Sequence, residues 1–266
     1  MIIKRYLKLY FTCIKRSIIT RLEYKRDTFI SIFNFFISNV ASILSIWMIM
    51  QTIPSLQGWS MVQLGFLYGF SMMPVALDHI FTDDLWSVAY FKVRTGELDR
   101  MFIRPVPVLF QVIAETFQLE GLGELIVGVV MLCVCGSMLD ISWSFGAVFV
   151  LVVATVFGAL MITAFKIIFS SLAFKIKRSG PILQVAYNFI SYTHYPMKIY
   201  PMFIKALLVF VFPFALVISY PVEIFLFQNY SPYALSAIIV AVSVALFALS
   251  VCIWSAFAKR YESTGS

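Results

Sequence analysis

Apolar residues come in long blocks along this chain. Runs at about 28–50, 61–81, 109–136, 145–172 and 232–257 each have the length to cross a bilayer as a helix, which takes about 20 residues. The stretch 181–221 differs: it is apolar but cut by Pro181, Pro196, Pro201, Pro213 and Pro221, with Pro232 just beyond. Proline interrupts the helix ladder, so these pieces are too short for two straight spans. The pattern predicts an all-α polytopic membrane protein.

Inside the blocks the polar positions are spaced as on one helix face. Ser31, Asn34, Ser38, Ser42 and Ser45 make a polar stripe on the first run, which is either a packing seam or part of a translocation path. Gly65 and Gly69 form a GxxxG in the second, and Ala234, Ala237, Ala241, Ala245, Ala248, Cys252 and Ser255 a small-residue stripe in the last. Small side chains let helices approach closely, so the alanine stripe is expected to pack within the chain.

Composition agrees with the pattern: 61% of residues are hydrophobic and 12% charged, with a mean hydropathy of +0.93, against about 25% charged in soluble domains. Residues 1–27 hold eight Lys and Arg between apolar residues, too interrupted for a cleaved leader. Ile2, Ile3, Tyr6, Leu9, Tyr10, Cys13 and Ile14 recur at helical spacing, as in an amphipathic helix lying on an anionic leaflet. Seventeen of the twenty Lys and Arg fall in 1–27, 82–108, 173–180 and 258–266. Basic residues stay on the cytoplasmic side, so both termini are placed there and the crossings must be even in number. Six are expected, with 181–195 as the fifth span. Residues 196–230 then form a partly re-entrant outer hairpin that roofs the path, with Tyr195, Pro196, Pro201, Pro213 and Pro221 as an outer gate. The alternative makes 203–220 the fifth span and 181–195 an inner surface helix. The permease body would occupy 28–257 and a cytoplasmic tail 258–266.

Ionisable side chains are costly in lipid, which singles out Glu115, Glu120, Glu124 and Lys166. Counted along uninterrupted helices, Lys166 lies level with Glu115 and near Glu120, so a pair with one of them is expected, functional or structural. Asp78, His79 and Asp83 read as a solvated helix end rather than a metal site, and Cys13, Cys133, Cys135 and Cys252 are too scattered for a disulfide framework. No phosphate-binding loop, dinucleotide fingerprint, zinc-protease helix or nucleophile elbow occurs. The basic balance is used up by topology signals, leaving no nucleic-acid surface. Uphill transport would therefore draw on a partner or an ion gradient.

The longest internal polar segment lies in 82–108 and reads TDDLWSVAYFKVRTGELDRMFIRPVP. Asp83–Phe91 has the spacing of a short amphipathic helix with Leu85, Trp86, Val88, Ala89 and Phe91 able to dock. GELDRMFIRP resembles the G-x-L-D-x-x-L-x-R-P signature of a branch of type-2 ABC export permeases, with Gly96, Leu98, Asp99, Arg104 and Pro105 on matching positions and Phe102 or Ile103 where leucine is usual. RLEYKRD before the first span, YPMKIYP at 195–201 and FPFALVISYP at 212–221 agree in order and interval.

The resemblance implies a six-helix subunit of a prokaryotic plasma membrane. It would pair with a second permease, identical or homologous, and with two cytosolic ATPase subunits that bind MgATP, holding no cofactor itself. It implies that the N-terminal helix and the 82–108 loop touch the ATPases through Trp86, Leu98 and their neighbours. Gly96 would allow a turn, Pro105 would start the third helix, and Asp99, Arg100 and Arg104 would meet charges on the motor. The expected cargo is amphipathic or hydrophobic: a drug, a lipid-like molecule or a peptide. Competing readings are a secondary transporter or channel using Glu115, Glu120, Glu124 and Lys166 as an ion relay, and a non-transporting scaffold.

Overall fold

A computed structural model describes residues 2–52, 55–139, 141, 143–227 and 231–263. The last residues of the expected hairpin (228–230) and tail (264–266), Met1, and positions 53–54, 140 and 142 in the expected outer loops lie outside the described residues. In chain order come α1 (Ile2–Glu23), α2 (Lys25–Thr52) and α3 (Met61–Thr82). A polar segment follows with α4 (Leu85–Ser87), a π-helical turn at Val88–Lys92, and α5 (Glu97–Phe102). Next are α6 (Val108–Glu115), α7 (Glu120–Met138), α8 (Phe145–Ser171), α9 (Ala173–Ile176) and α10 (Gly180–Tyr192). After a 3-10 turn at Met197–Ile199 come α11 (Met202–Ala206), a π turn at Leu207–Val211, α12 (Phe214–Val217), α13 (Ser219–Phe227) and α14 (Pro232–Ala258). Among the described residues, α2, α3, α7, α8 and α14 are long and apolar enough to cross a membrane.

The bundle is built around α3 and α8. Helix α3 opens with a capping box: Gln63 N–H donates to Ser60 Oγ (3.3 Å) and Ser60 N–H to Gln63 Oε1 (2.9 Å), satisfying two otherwise orphaned donors. One side of α3 lies on α7, where a Cβ added at Gly69 would sit 2.7 Å from the Met131 Cβ and one at Gly128 2.9 Å from the Gly69 carbonyl. The GxxxG is thus a close crossing within the chain. The other side of α3 meets α8, where Pro74 packs against Gly158.

Helix α14 lies along α8 through Leu235, Ser236, Ile239, Ser243, Ser250 and Trp254. The alanine stripe expected to pack there, Ala234, Ala237, Ala241, Ala245, Ala248, Cys252 and Ser255, is exposed instead. Helix α14 has small residues on two faces, and α8 takes the serine face. There Ser236 and Ser250 donate to the Pro232 and Phe247 carbonyls of their own helix (2.8 and 2.7 Å), so their hydroxyls add no unmet polarity to the seam.

The apolar run 109–136 is not one helix. Thr116 adopts extended backbone (φ −126°, ψ 132°) and separates α6 from α7. Neighbours take up the freed backbone groups, as a break at this depth requires. Phe117 N–H donates to Ser17 Oγ (2.9 Å), Ser17 Oγ–H donates to the Phe117 carbonyl (3.3 Å), and Gln118 N–H donates to the Ile80 carbonyl (3.1 Å). Helix α1 lies against this break and α6 with Tyr6 on Phe110 (5.1 Å). Its exposed side carries Leu7, Leu9, Phe11, Ile19 and Leu22, so the chain covers Tyr6 and Tyr10 of the expected apolar face and leaves Leu9 outside.

Residues 180–227 run along the bundle three times. Helix α10 starts beside the polar segment, where Ser179 N–H donates to the Ala89 carbonyl (2.9 Å). At the far end Lys198 Nζ lies 5.6 Å over the Phe227 ring, which meets Trp59. The chain then turns back, and Phe212, at the Pro213 bend, packs on Phe165 of α8 (5.4 Å) and Phe189 of α10 (4.6 Å). Helices α12 and α13 return past Gly158 to set Phe225 against Phe66 and Trp143. At the opposite end, Leu85, Val88, Leu98 and Met101 of the polar segment bury against Val112, Phe174 and Trp254.

Candidate functional site

A cavity of about 310 Å³ opens between α2, α3 and α7. Asn34, Ser38, Asn39 and Ser42 of α2 line one wall, Tyr68, Ser71, Met72 and Val75 of α3 another, and Glu124 of α7 and His194 close it. The α2 residues reach it because their spacing holds one face. Ser31 begins the same stripe but is outside the lining. The Tyr68 hydroxyl donates to Asn39 Oδ1 (3.2 Å), and His194 stands edge-on to the Tyr68 ring (5.1 Å).

Glu124 starts a buried polar chain leading away from this cavity. Its Oε2 is 2.7 Å from His79 Nδ1, and His79 Nε2 is 2.7 Å from the Tyr187 hydroxyl. A neutral imidazole here would carry its proton on Nδ1, donating to Glu124 and accepting from Tyr187 at Nε2, whereas a protonated ring would donate at both nitrogens. The Tyr187 ring lies 6.0 Å from Lys166 Nζ and 5.3 Å, edge-on, from Trp86 in the polar segment. Lys166, with no exposed surface, sits 2.8 Å from Asp78 Oδ2 and 3.5 Å from Asp83 Oδ1. The Lys166–Asp78 contact is ionic without hydrogen-bond alignment, so Nζ and Oδ2 keep unused hydrogen-bonding capacity. Asp78 Oδ1 accepts from Thr82 (2.7 Å) and Thr163 (3.0 Å). Helical spacing supplies both sides: Asp78, Thr82 and Asp83 end α3, while Thr163 and Lys166 stand one turn apart on α8.

Lys166 therefore does not pair with Glu115 or Glu120, as its depth along an unbroken helix suggests. The interruption at Thr116 redirects both. Glu115 turns to Lys92 Nζ (2.6 Å), which also holds Asp84 (2.6 Å). Glu120 takes Arg21 (2.9 Å), whose second nitrogen donates to Gln118 Oε1. The three glutamates serve three partners, and Glu124 alone faces the cavity. Burial pushes the Asp84 carboxyl up against the pull of Lys92. Burial of the Lys92 ammonium is outweighed by its two carboxylates, which hold it above its ordinary value.

Asp78 is also no solvated helix end: it is 1% exposed, while His79 and Asp83 of that group are partly exposed. The missed signal was a Lys on one apolar span facing two Asp and a Thr at the end of another, since charges at such depth pair. Among the described residues no three His, Cys, Asp or Glu side chains converge to hold a metal ion.

In the polar segment Gly96 has φ 73°, a left-handed turn that spares Gly the Cβ clash. Leu98 is fully buried, and Phe91, expected to dock, is exposed. Arg100, Arg104 and Pro105 are exposed. The third long apolar run begins its helix at Val108 after Pro107, not at Pro105; Gln111 Nε2 donates to the Met101 and Val106 carbonyls (2.8 and 2.7 Å) and fixes the turn between. Asp99 is already engaged by Ser263 Oγ (2.6 Å) and the Tyr261 hydroxyl (2.8 Å), which hold its carboxyl below the usual carboxylate range. Of the outer residues, Pro196, Pro213 and Pro221 are buried, Pro201 is exposed at the start of α11, and Tyr195 packs on the core.

The family model described as "ABC-2 family transporter protein" matches residues 36–265. A comparison with curated proteins finds no match.

Proposed function

The chain belongs to the ABC-2 family of transporter proteins, and we propose that it is the transmembrane subunit of an ATP-driven exporter that moves an amphipathic cargo out of the cytoplasm. ATP is hydrolysed on two separate cytosolic subunits, and a second permease, identical or homologous, completes the path. The carrying observation is the connection between the α2–α3–α7 cavity and the polar segment. Cargo seated near Glu124 touches a chain through His79 and Tyr187 that ends at Trp86 and at Asp83 beside Lys166. ATP-driven movement of Trp86 and its neighbours would then shift the Lys166–Asp78 contact and the helices that enclose the cavity. Such a device pumps only if the two states hold cargo differently.

The proposed topology has six crossings, both termini in the cytoplasm, and α10 with the residues up to Pro196 as the fifth. Residues 196–227 form the re-entrant hairpin, a reading supported by Lys198 at one end of the bundle and Phe212 back beside Phe165. The exposed Arg100, Arg104 and α1 face the ATPases. Asp99 is assigned instead to holding the tail.

The test is reconstitution in vesicles with and without the cognate ATPase. ATP-dependent movement that disappears with Glu124→Gln supports the reading. Movement driven by a proton or sodium gradient with no ATPase present refutes it and favours the secondary-transport reading, in which Glu124, His79 and Lys166 form the relay.

A further inference from the structure

We propose that the α2–α3–α7 seam is a bipartite cargo site for amphiphiles bearing a protonated amine, with Glu124 as the counter-charge; this rests on the export reading. Two cavities share the Tyr68 wall. The first is the polar one, and the second, of about 190 Å³, is lined by Ile43, Val62, Met131, Cys135 and Met138 and is almost wholly apolar. Along α7 the two cover Glu124 to Met138, about 21 Å at ~1.5 Å per residue. A polar head and an aliphatic body would therefore lie along one seam. Helix α2, which closes it, is the least packed of the long helices, with most of its described side chains exposed.

The sign of the head group follows from Glu124. Its Oε2 is taken by His79, and its Oε1 has no hydrogen bond among the described residues. His79 takes Oε2 from the far side, and among the described residues no Lys or Arg lines the cavity to meet the other oxygen. A nearly buried anion with one oxygen unused is completed most strongly by a cationic N–H donor. The His194 ring and the Asn34 and Ser38 side chains supply further polar atoms on the facing walls. An anionic head would meet Glu124 with like charge, and a neutral alcohol would leave the carboxylate uncompensated.

The experiment measures binding of radiolabelled dodecylamine to the purified full chain in phosphatidylcholine nanodiscs, with dodecanol and dodecanoate as competitors. The amine should bind in preference to both. Glu124→Gln should weaken amine binding about tenfold or more, the scale of an ion-assisted hydrogen bond, and abolish the preference for the amine over dodecanol. Ile43→Trp, filling the apolar slot from α2, should weaken amine and alcohol alike. Equal binding of the three amphiphiles by the wild type, or amine binding by Glu124→Gln within twofold of wild type, overturns the assignment. Should Glu124→Gln not fold, wild-type discrimination together with Ile43→Trp decides it. Selective binding without ATP-driven movement in the reconstituted complex would remove the export reading and leave the site, and ATP-driven movement indifferent to charge would do the reverse.

Discussion

Removing the Lys166 ammonium isolates the most deeply buried charge pair. At 2.8 Å and an effective dielectric of about 20, the Coulomb attraction to Asp78 is roughly 6 kcal/mol before desolvation. Burying both ions offsets most of that, so the pair adds little net stability, yet breaking it leaves an uncompensated buried carboxylate. Lys166→Met is therefore expected to cost about 3–5 kcal/mol, slightly moderated by the partial exposure of Asp83 and the two threonines on Asp78 Oδ1. Adding Asp78→Asn removes the orphaned charge and keeps Oδ1 as an acceptor for Thr82 and Thr163, so the double variant should recover most of the loss. Reversible unfolding in mixed micelles, run as a double-mutant cycle, measures both. A single-variant loss below about 1 kcal/mol, within the range of a surface pair, would refute the reasoning, as would a double variant no more stable than Lys166→Met. The stabilised double variant then separates roles: folded but unable to move cargo, it makes the pair part of the mechanism, whereas normal transport leaves it structural.

Gly128→Ala should separate α3 from α7 and cost about 1–3 kcal/mol, because its Cβ would lie 2.9 Å from the Gly69 carbonyl. Gly123→Ala on the same helix meets nothing within 4 Å and should be neutral or stabilising by about 0.5–1 kcal/mol; equal effects in thermal unfolding would undo the close-crossing argument. Breaking the Arg21–Glu120 pair with Arg21→Met should loosen α1 at the Thr116 break, read as faster amide exchange across 17–23 and 116–120, and unchanged exchange would show that Ser17, Tyr6 and Tyr10 hold α1 without the ion pair. The Asp99 carboxyl is depressed by bonds from Ser263 and Tyr261, so its contribution to tail docking is present above the ordinary carboxylate value of about 3.9 and is lost as pH falls through the lower folded value. Asp99→Asn should weaken the tail contact already at neutral pH; amide exchange at 259–263 unaltered by that substitution would show the bonds to be incidental.

The periodicity of the sequence settled the class of molecule, since 20-residue apolar runs have few other uses, and its prolines showed that 181–221 is broken into short pieces, whereas the Gly96 turn was implied only by the family resemblance. The serine and asparagine stripe on α2 was legible because helical spacing alone puts Asn34, Ser38 and Ser42 on one face. What the stripe faces was not, and neither was the choice between the two small faces of α14, because a helix wheel identifies a face and not its neighbour. The ion pairs went astray for a related reason. Counting depth assumes an unbroken helix, and the break at Thr116 exists only because Ser17 and Ile80, distant in sequence, satisfy its backbone groups. That interruption sends Glu115 to Lys92 and Glu120 to Arg21, and leaves Asp78 to neutralise Lys166. Which charges meet in a low-dielectric interior depends on a few ångströms of three-dimensional offset, and only the tertiary packing sets that offset.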